Sequence, residues 1–150
     1  MGIEYYFAYG SNLDPNQMKE RVGKCDISER SYIEGYKLVF NVFSKNWNGW
    51  AANIKKTKVS SDIVYGVIYQ ITDEQLKILT SKYEHKEPIP ISVKLENGKE
   101  KTDVKAYVWP KEESSHEPPE AYRNKIVQGL SQHGYSTNII EKVKSRFNSP

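Results

Sequence analysis

A short aromatic run near the start of the chain, closed by a glycine turn, constrains the fold more than any other feature. Residues 3–9 read IEYYFAY, and Gly10-Ser11-Asn12 (the glycine loop) follows directly. This pattern predicts a buried strand that ends in a tight loop. Glycine lets the backbone turn sharply there, so that successive amides of the loop can point toward one spot. Such a cluster of N–H groups binds anions and stabilises oxyanions, although a plain turn between two elements gives the same pattern.

The rest of the chain alternates strand-like runs with a few helix signals. Strands are predicted over residues 31–41, 50–54, 63–71, 89–95 and 104–109, and Asn97-Gly98 predicts a hairpin turn. Helices are predicted after Asp14-Pro15, after Thr72, from residue 119 or 120 to about 130, and over residues 137–147. Crowded strands with few helices between them predict one α+β domain over residues 1–150. Its sheet is expected to be a curved mixed sheet or a small β-barrel, flanked by a few α-helices.

Charge and cysteine content narrow the range of partners. The 150 residues carry 22 basic and 19 acidic side chains, which are interleaved and leave a net charge of +3. A nucleic-acid partner is not expected, because such binders concentrate basic residues on one face. The single cysteine, Cys25, excludes an internal disulfide and indicates a reducing compartment. No long apolar segment and no basic leader occur, so we expect a cytoplasmic protein without a membrane span.

The histidines do not form a metal-binding pattern. His85, His116 and His133 lie far apart and lack the spacing of metal ligands, so no metal site is expected. No glycine pattern typical of nucleotide-binding loops occurs either.

The longer string around the glycine loop resembles a known family signature. Residues 6–13 read YFAYGSNL, and this motif is similar to that of the γ-glutamylcyclotransferase family, which includes AIG2-like and butirosin-pathway relatives. Segments 47–54 (WNGWAANI), 63–69 (IVYGVIY) and 120–126 (EAYRNKI) resemble later family segments in the same order. The resemblance therefore covers most of the chain.

The resemblance implies an enzyme that cleaves a small γ-glutamyl amide by cyclising its glutamyl group to 5-oxoproline. It implies a catalytic glutamate after a short helix, and Glu84 in Lys82-Tyr83-Glu84 is the best match. Such a carboxylate removes a proton from the substrate α-ammonium and then protonates the departing amine, so that one residue acts as base and as acid. The glycine loop would face the developing oxyanion. This chemistry needs no metal and no organic cofactor.

Substrate-binding residues also follow from the resemblance. They are Tyr6, Phe7, Ala8, Tyr9, Gly10, Ser11, Asn12, Leu13 and Tyr122. Because neighbouring residues of a strand face opposite sides, Tyr6 is not expected to share a face with Tyr5, Phe7 or Tyr9. For Tyr122, packing of a helix on the sheet is an equally compatible role.

Three departures from the family pattern bear on activity. Glu84 lies one residue later than the usual family spacing, which a one-residue insertion around residues 80–82 explains. His85 stands where a glycine usually follows the glutamate. A usual Tyr-x-Arg is replaced by residues 87–90 (EPIP), and Glu87 is a fallback candidate for the base.

Several alternatives stay open at this point. A cyclotransferase specific for γ-glutamylamines and a non-catalytic small-ligand binder of the same fold both fit the sequence. Binding of single-stranded nucleic acid, suggested by Trp47 and Trp50 beside Gly49, is a weaker alternative. The sequence is compatible with a monomer or a homodimer.

Overall fold

Five strands close into a barrel, and two further strands form a separate sheet beside it. The computed structural model describes residues 2–25 and 27–148, and this part of the chain contains seven strands and four α-helices. The strands are β1 (Ile3–Ala8), β2 (Ile27–Glu34), β3 (Tyr36–Ser44), β4 (Gly49–Lys56), β5 (Ile63–Thr72), β6 (Ile89–Leu95) and β7 (Glu100–Ala106). The helices are α1 (Pro15–Val22), α2 (Asp73–Ile78), α3 (Glu120–Gln132) and α4 (Thr137–Lys144).

The barrel has the strand order β1-β5-β2-β6-β7. Four of its pairings are antiparallel, and a parallel pairing of β7 with β1 closes the circle. The side chains of Phe7, Val67 and Val104 have no exposed surface. Gly66 allows β5 to pass close to β1, since a Cβ atom there would lie 2.4 Å from the Ala8 carbonyl oxygen. These features confirm the predicted α+β class, and of the two sheet forms that the sequence left open they show the small barrel.

The run predicted as one strand over residues 31–41 is in fact two strands in different sheets. Gly35 separates β2 from β3 with a φ of +78°, a value that favours glycine. β2 belongs to the barrel, whereas β3 leaves it and pairs with β4 in an antiparallel hairpin. The prediction was wrong here because the apolar residues continue across the glycine and hide the break.

The helices begin where the sequence predicted them, although α4 ends at Lys144 rather than at the predicted residue 147. Asp14 caps α1 by accepting a hydrogen bond from the Asn16 amide at 2.9 Å, and Pro15 occupies the first helical position. Thr72 and Gln75 form a reciprocal capping box at the start of α2. Among residues 2–25 and 27–148, no helix combines the length and the apolar character that crossing a membrane requires.

Candidate active site

A cavity lies where the end of β1 meets the β3–β4 hairpin and the chain after β7. Its outer part has a volume of about 530 Å³, and a small inner recess of about 30 Å³ adjoins it. The outer cavity is walled by the hairpin tip, including Phe43 and Trp47, and the recess is floored by the glycine loop. The residues common to both spaces are Ser11, Ala52, Glu84, Trp109 and Tyr122.

Glu84 reaches this cavity because α2 continues into a single turn of π-helix. The turn spans Leu79–Glu84, and the His85 amide donates to the Thr80 carbonyl at 2.8 Å, a bond to the fifth residue back. A π-turn holds one more residue than an α-helical turn and often occurs at functional sites. The turn includes residues 80–82, the region where the sequence predicts a one-residue insertion. His85 ends the turn with a φ of +54°, the conformation that glycine adopts most easily.

The Glu84 side chain is mostly withdrawn from solvent. It is 19% exposed, and burial raises the pKa of its carboxyl group to about 7. The guanidinium of Arg21 opposes this rise, with its Nη1 atom 4.0 Å from Glu84 Oε2. A carboxyl group with this pKa can accept and return a proton near neutral pH.

A buried hydrogen-bond network fixes the glycine loop. Asn12 donates from Nδ2 to the Tyr6 hydroxyl at 3.0 Å, and its Oδ1 atom accepts from Gln17 Nε2 at 3.0 Å. Gln17 Nε2 also donates to Ser11 Oγ at 2.8 Å. Residues Ser11–Leu13 form a short 3-10 turn ahead of α1. The amides that open this turn need partners from outside it, as at the start of any helix.

Tyr122 comes from α3 and places its hydroxyl beside the glycine loop. The hydroxyl oxygen accepts a hydrogen bond from the Ala52 amide at 3.0 Å. A Cβ atom at Gly10 would lie 2.5 Å from this oxygen, so only glycine allows so close an approach. Burial, with a smaller contribution from the charge of Glu84, raises the pKa of Tyr122 to about 12. The phenol therefore stays protonated at neutral pH and can donate its hydrogen.

The structure brings most of the predicted site residues together. Tyr6, Tyr9 and the glycine loop line the recess with Glu84 and Tyr122. The expectation that Tyr6 and Tyr9 lie on opposite faces was wrong, because β1 ends at Ala8 and its alternation ends there too.

Three of the predicted substrate-binding side chains lie elsewhere. Phe7, Ala8 and Leu13 have no exposed surface and belong to the hydrophobic core. Their side chains do not line the cavity, since the motif that contains them also supplies β1 and the 3-10 turn, which pack into the core. The fallback base Glu87 is exposed and lines neither part of the cavity.

The residues of the site that sequence reasoning missed include Arg21, Tyr107 and Trp109. Arg21 enters from α1, and Tyr107 and Trp109 follow β7. The Tyr107 hydroxyl lies 2.8 Å from Thr80 Oγ1, which ties the π-turn to the barrel. A spacing of four residues from Gln17 put Arg21 on the same helix face, but nothing in the sequence related that face to Glu84. Among the described residues, no group of three or more His, Cys, Asp or Glu side chains is arranged to hold a metal ion.

Comparison with known proteins identifies the family of this chain. A family model described as gamma-glutamyl cyclotransferase, AIG2-like, matches residues 6–125. The chain belongs to this family. A search of curated proteins found no match.

Solved structures share the cyclotransferase fold over nearly the whole chain. An uncharacterized protein, loc79017, from Homo sapiens is 27% identical with a TM-score of 0.84, covering 97% of this chain and 88% of that one. A structure titled gamma-glutamyl cyclotransferase is 27% identical with a TM-score of 0.83, covering 96% and 88%. YkqA from Bacillus subtilis has the same fold at 22% identity and a TM-score of 0.75, covering all of this chain and 57% of that one. The family and the neighbour titled gamma-glutamyl cyclotransferase support a function of the γ-glutamyl cyclotransferase type.

Proposed function

We propose that this protein is a γ-glutamyl cyclotransferase that releases 5-oxoproline and a free amine, with Glu84 as its general base and acid. The observation that carries the proposal is the position of one buried carboxylate. Glu84 lines the same recess as the glycine loop, and its pKa of about 7 suits proton transfer at neutral pH. The fallback Glu87 lacks this position.

The reaction is an intramolecular acyl transfer. The Glu84 carboxylate takes one proton from the substrate α-ammonium, and the freed amine nitrogen attacks the γ-carbonyl carbon to close a five-membered ring. As the C–N bond of the amide breaks, Glu84 passes its proton to the departing nitrogen. A second proton leaves the ring nitrogen by the same route, so that the amine departs as an ammonium ion and Glu84 is again a carboxylate. The enzyme mainly has to hold the chain folded, because the nucleophile and the carbonyl share one molecule.

The negative oxygen of the tetrahedral intermediate needs hydrogen-bond donors that are in place beforehand. The glycine-loop amides at the start of the 3-10 turn would supply such donors, and the Ser11 amide also faces the Tyr122 hydroxyl oxygen. Tyr122 would be a further donor, because its oxygen accepts from the Ala52 amide and its hydroxyl hydrogen does not take part in that bond. Tyr6 and Tyr9 would wall the glutamyl group from water on the barrel side.

The test compares two glutamates that lie three residues apart. Glu84→Gln preserves the size of the side chain but cannot exchange protons, so formation of 5-oxoproline from a panel of γ-glutamyl amides should fall at least about 1,000-fold. Glu87→Gln is the matched control and should retain wild-type turnover, since its side chain is exposed and outside the cavity.

The circular dichroism spectra of both variants should match that of wild type, because neither substitution is expected to change the fold. Turnover of Glu84→Gln at the wild-type rate would refute the assignment of the base. A wild-type protein that binds γ-glutamyl amides and never releases 5-oxoproline would instead point to the non-catalytic binder.

A further inference from the structure

Arg21 is an arginine whose position the proposed chemistry does not yet explain. It lies in the last turn of α1, where a cation interacts favourably with the helix dipole. Gln17 is four residues earlier and on the same face, so both side chains turn toward the glycine loop. Only 12% of the Arg21 side chain is exposed. Burying a guanidinium this far is costly unless it has partners.

The partners of Arg21 hold the guanidinium in place and leave donors free. Nη1 donates to Asn12 Oδ1 at 3.2 Å, and the guanidinium stacks on the Tyr83 ring with 4.4 Å between its central carbon and the ring centroid. The Asn12 oxygen is itself fixed by Gln17. The approach to Glu84, 4.0 Å at its shortest, is too long for a hydrogen bond. A guanidinium has five N–H groups, so the cavity side keeps donors for a ligand.

The charges of the cavity match those of an amino-acid head group. The acidic and basic side chains that line the outer part of the cavity are Arg21, Lys45, Glu84 and His85. Of these, Lys45 is exposed at the hairpin tip. A γ-glutamyl group carries an ammonium and a carboxylate on the same carbon. Glu84 and Arg21 are a carboxylate and a guanidinium with a gap of 4.0 Å between their nearest atoms. The two pairs of opposite charges can therefore meet.

We propose that Arg21 binds the α-carboxylate of the γ-glutamyl group and thereby selects γ-glutamyl amides over amides that lack this carboxylate. The inference rests on the proposed function for the identity of the substrate. A guanidinium binds a planar carboxylate through two parallel hydrogen bonds, which fixes orientation as well as charge. Held in this way, the α-carbon would present its nitrogen to Glu84. Arg21 would thus set both the specificity and the starting geometry of the cyclisation.

A purely structural role for Arg21 makes a different prediction. If Arg21 only orients Tyr83 and Glu84, its loss should slow every substrate by the same factor. If it binds the carboxylate, its loss should slow only those substrates that have one. The ratio of two substrates separates these cases, because any effect on Glu84 cancels in the ratio.

The experiment uses γ-glutamyl-alanine and 4-aminobutanoyl-alanine, which differ only in the α-carboxylate and yield 5-oxoproline and 2-pyrrolidinone. Wild-type enzyme should prefer the first in kcat/KM by about 10- to 100-fold, the range expected for hydrogen bonds to a charged group. Arg21→Met should reduce this preference to about threefold or less, and Arg21→Lys should restore part of it. Lys19→Met, which removes an exposed charge from the same helix, should keep the wild-type preference.

An Arg21→Met preference equal to that of wild type would overturn the inference. Binding of the two products gives a second readout that does not need turnover. Wild type should bind 5-oxoproline more tightly than 2-pyrrolidinone in calorimetry, and Arg21→Met should bind the two alike. If the proposed function fails, neither substrate is cyclised, yet the product comparison still decides the role of Arg21. Equal affinity of wild type for both products would refute it, even if Arg21→Met did not fold.

Discussion

The burial of Glu84 affects stability as well as proton transfer. Its pKa is about 7 in the folded protein, against an ordinary value of 4.5, and burial is the largest cause. Between these two pH values the folded state binds more protons than the unfolded state. The free energy of unfolding therefore falls as the pH rises from about 4.5 to 7, and the full loss is present above pH 7. The ionised carboxylate that the reaction needs is the form that destabilises the fold.

Glu84→Gln should remove this pH-dependent loss. A shift of this size corresponds to roughly 3 kcal/mol in total, and about 2 kcal/mol of it arises between pH 5 and pH 8. The difference in unfolding free energy between the variant and wild type should therefore shift in favour of the variant by about 2 kcal/mol as the pH rises from 5 to 8. Urea denaturation at both pH values measures the difference, and Glu87→Gln provides the exposed control. A gain that is the same at pH 5 and pH 8 would contradict a raised pKa.

At the scale of elements, α3 connects the site to the rest of the fold. Tyr122, Ile126 and Gly129 recur at helical spacing and form its buried face. Gly129 meets the 3-10 turn so closely that a Cβ atom there would lie 2.3 Å from the Leu13 carbonyl carbon. The helix can therefore deliver the Tyr122 hydroxyl to the glycine loop only because Gly129 has no side chain.

Gly129→Ala should push α3 away from the glycine loop. Alanine normally favours a helix interior over glycine by about 1 kcal/mol, but here its methyl group collides with backbone atoms that have little room to move. We expect a net loss of about 2 kcal/mol in unfolding free energy, together with lower turnover. Gln128→Ala, on the exposed face one residue earlier, should be neutral or slightly stabilising. Chemical denaturation compares the two, and a Gly129→Ala variant as stable as wild type would disprove the close contact.

The elements that the sequence predicts correctly are those with local signals. The Asn97-Gly98 turn between β6 and β7 has Gly98 at a φ of +84° and the Lys99 amide bonded to Asn97 Oδ1 at 2.8 Å. The helix caps at Asp14 and Thr72 could also be predicted from the sequence, because each capping side chain bonds to an amide within the next three residues.

The pairing of Arg21 with Glu84 could not be read in the same way. These residues lie on separate helices, and only the packing of α1 against α2 brings them within 4.0 Å. Glu84 itself was found through the family motif, whereas Arg21 belongs to no quoted motif. The side chains of Phe7 and Leu13, which the motif included among the substrate-binding candidates, are buried in the core, because a contiguous motif hides which of its side chains point inward.

At the scale of the whole molecule, one wall of the cavity belongs to the barrel and another to the β3–β4 hairpin, and the two differ in how many strands stabilise them. The barrel is closed, so each of its strands has a partner on both sides. The β3–β4 hairpin is a two-stranded sheet, and such a sheet is marginally stable unless it packs on something else. The integrity of the cavity therefore depends on what ties the hairpin to the chain that follows the barrel.

A buried asparagine of β4 makes that connection. Asn53 is 1% exposed, and its side chain donates to the Trp109 carbonyl at 2.9 Å and accepts from the Trp109 amide at 3.0 Å. It also donates to Asn41 Oδ1 at 3.1 Å, and Asn41 in turn donates to the Glu113 carbonyl at 3.1 Å. The side-chain amides of Asn41 and Asn53 thus bond the hairpin to the main chain after β7, as the backbone of a neighbouring strand would do in a larger sheet. Trp109 is held beside the cavity by the same contacts.

Asn53→Ala should loosen the hairpin before it loosens the barrel. The substitution leaves the part-buried Trp109 amide without its partner and removes one of the two hydrogen bonds that the Trp109 carbonyl accepts, the other coming from the Lys111 amide. We expect a loss of about 1–3 kcal/mol. Because the lost bonds join the hairpin to residues after β7, hydrogen exchange should speed up in β3 and β4 by about 10- to 100-fold while β1 and β5 keep most of their protection. Lys56→Ala, exposed on the same strand, should leave both rates unchanged. Equal acceleration in all four strands would mean that hairpin and barrel open as one unit, and the cavity could then not open without unfolding of the whole domain.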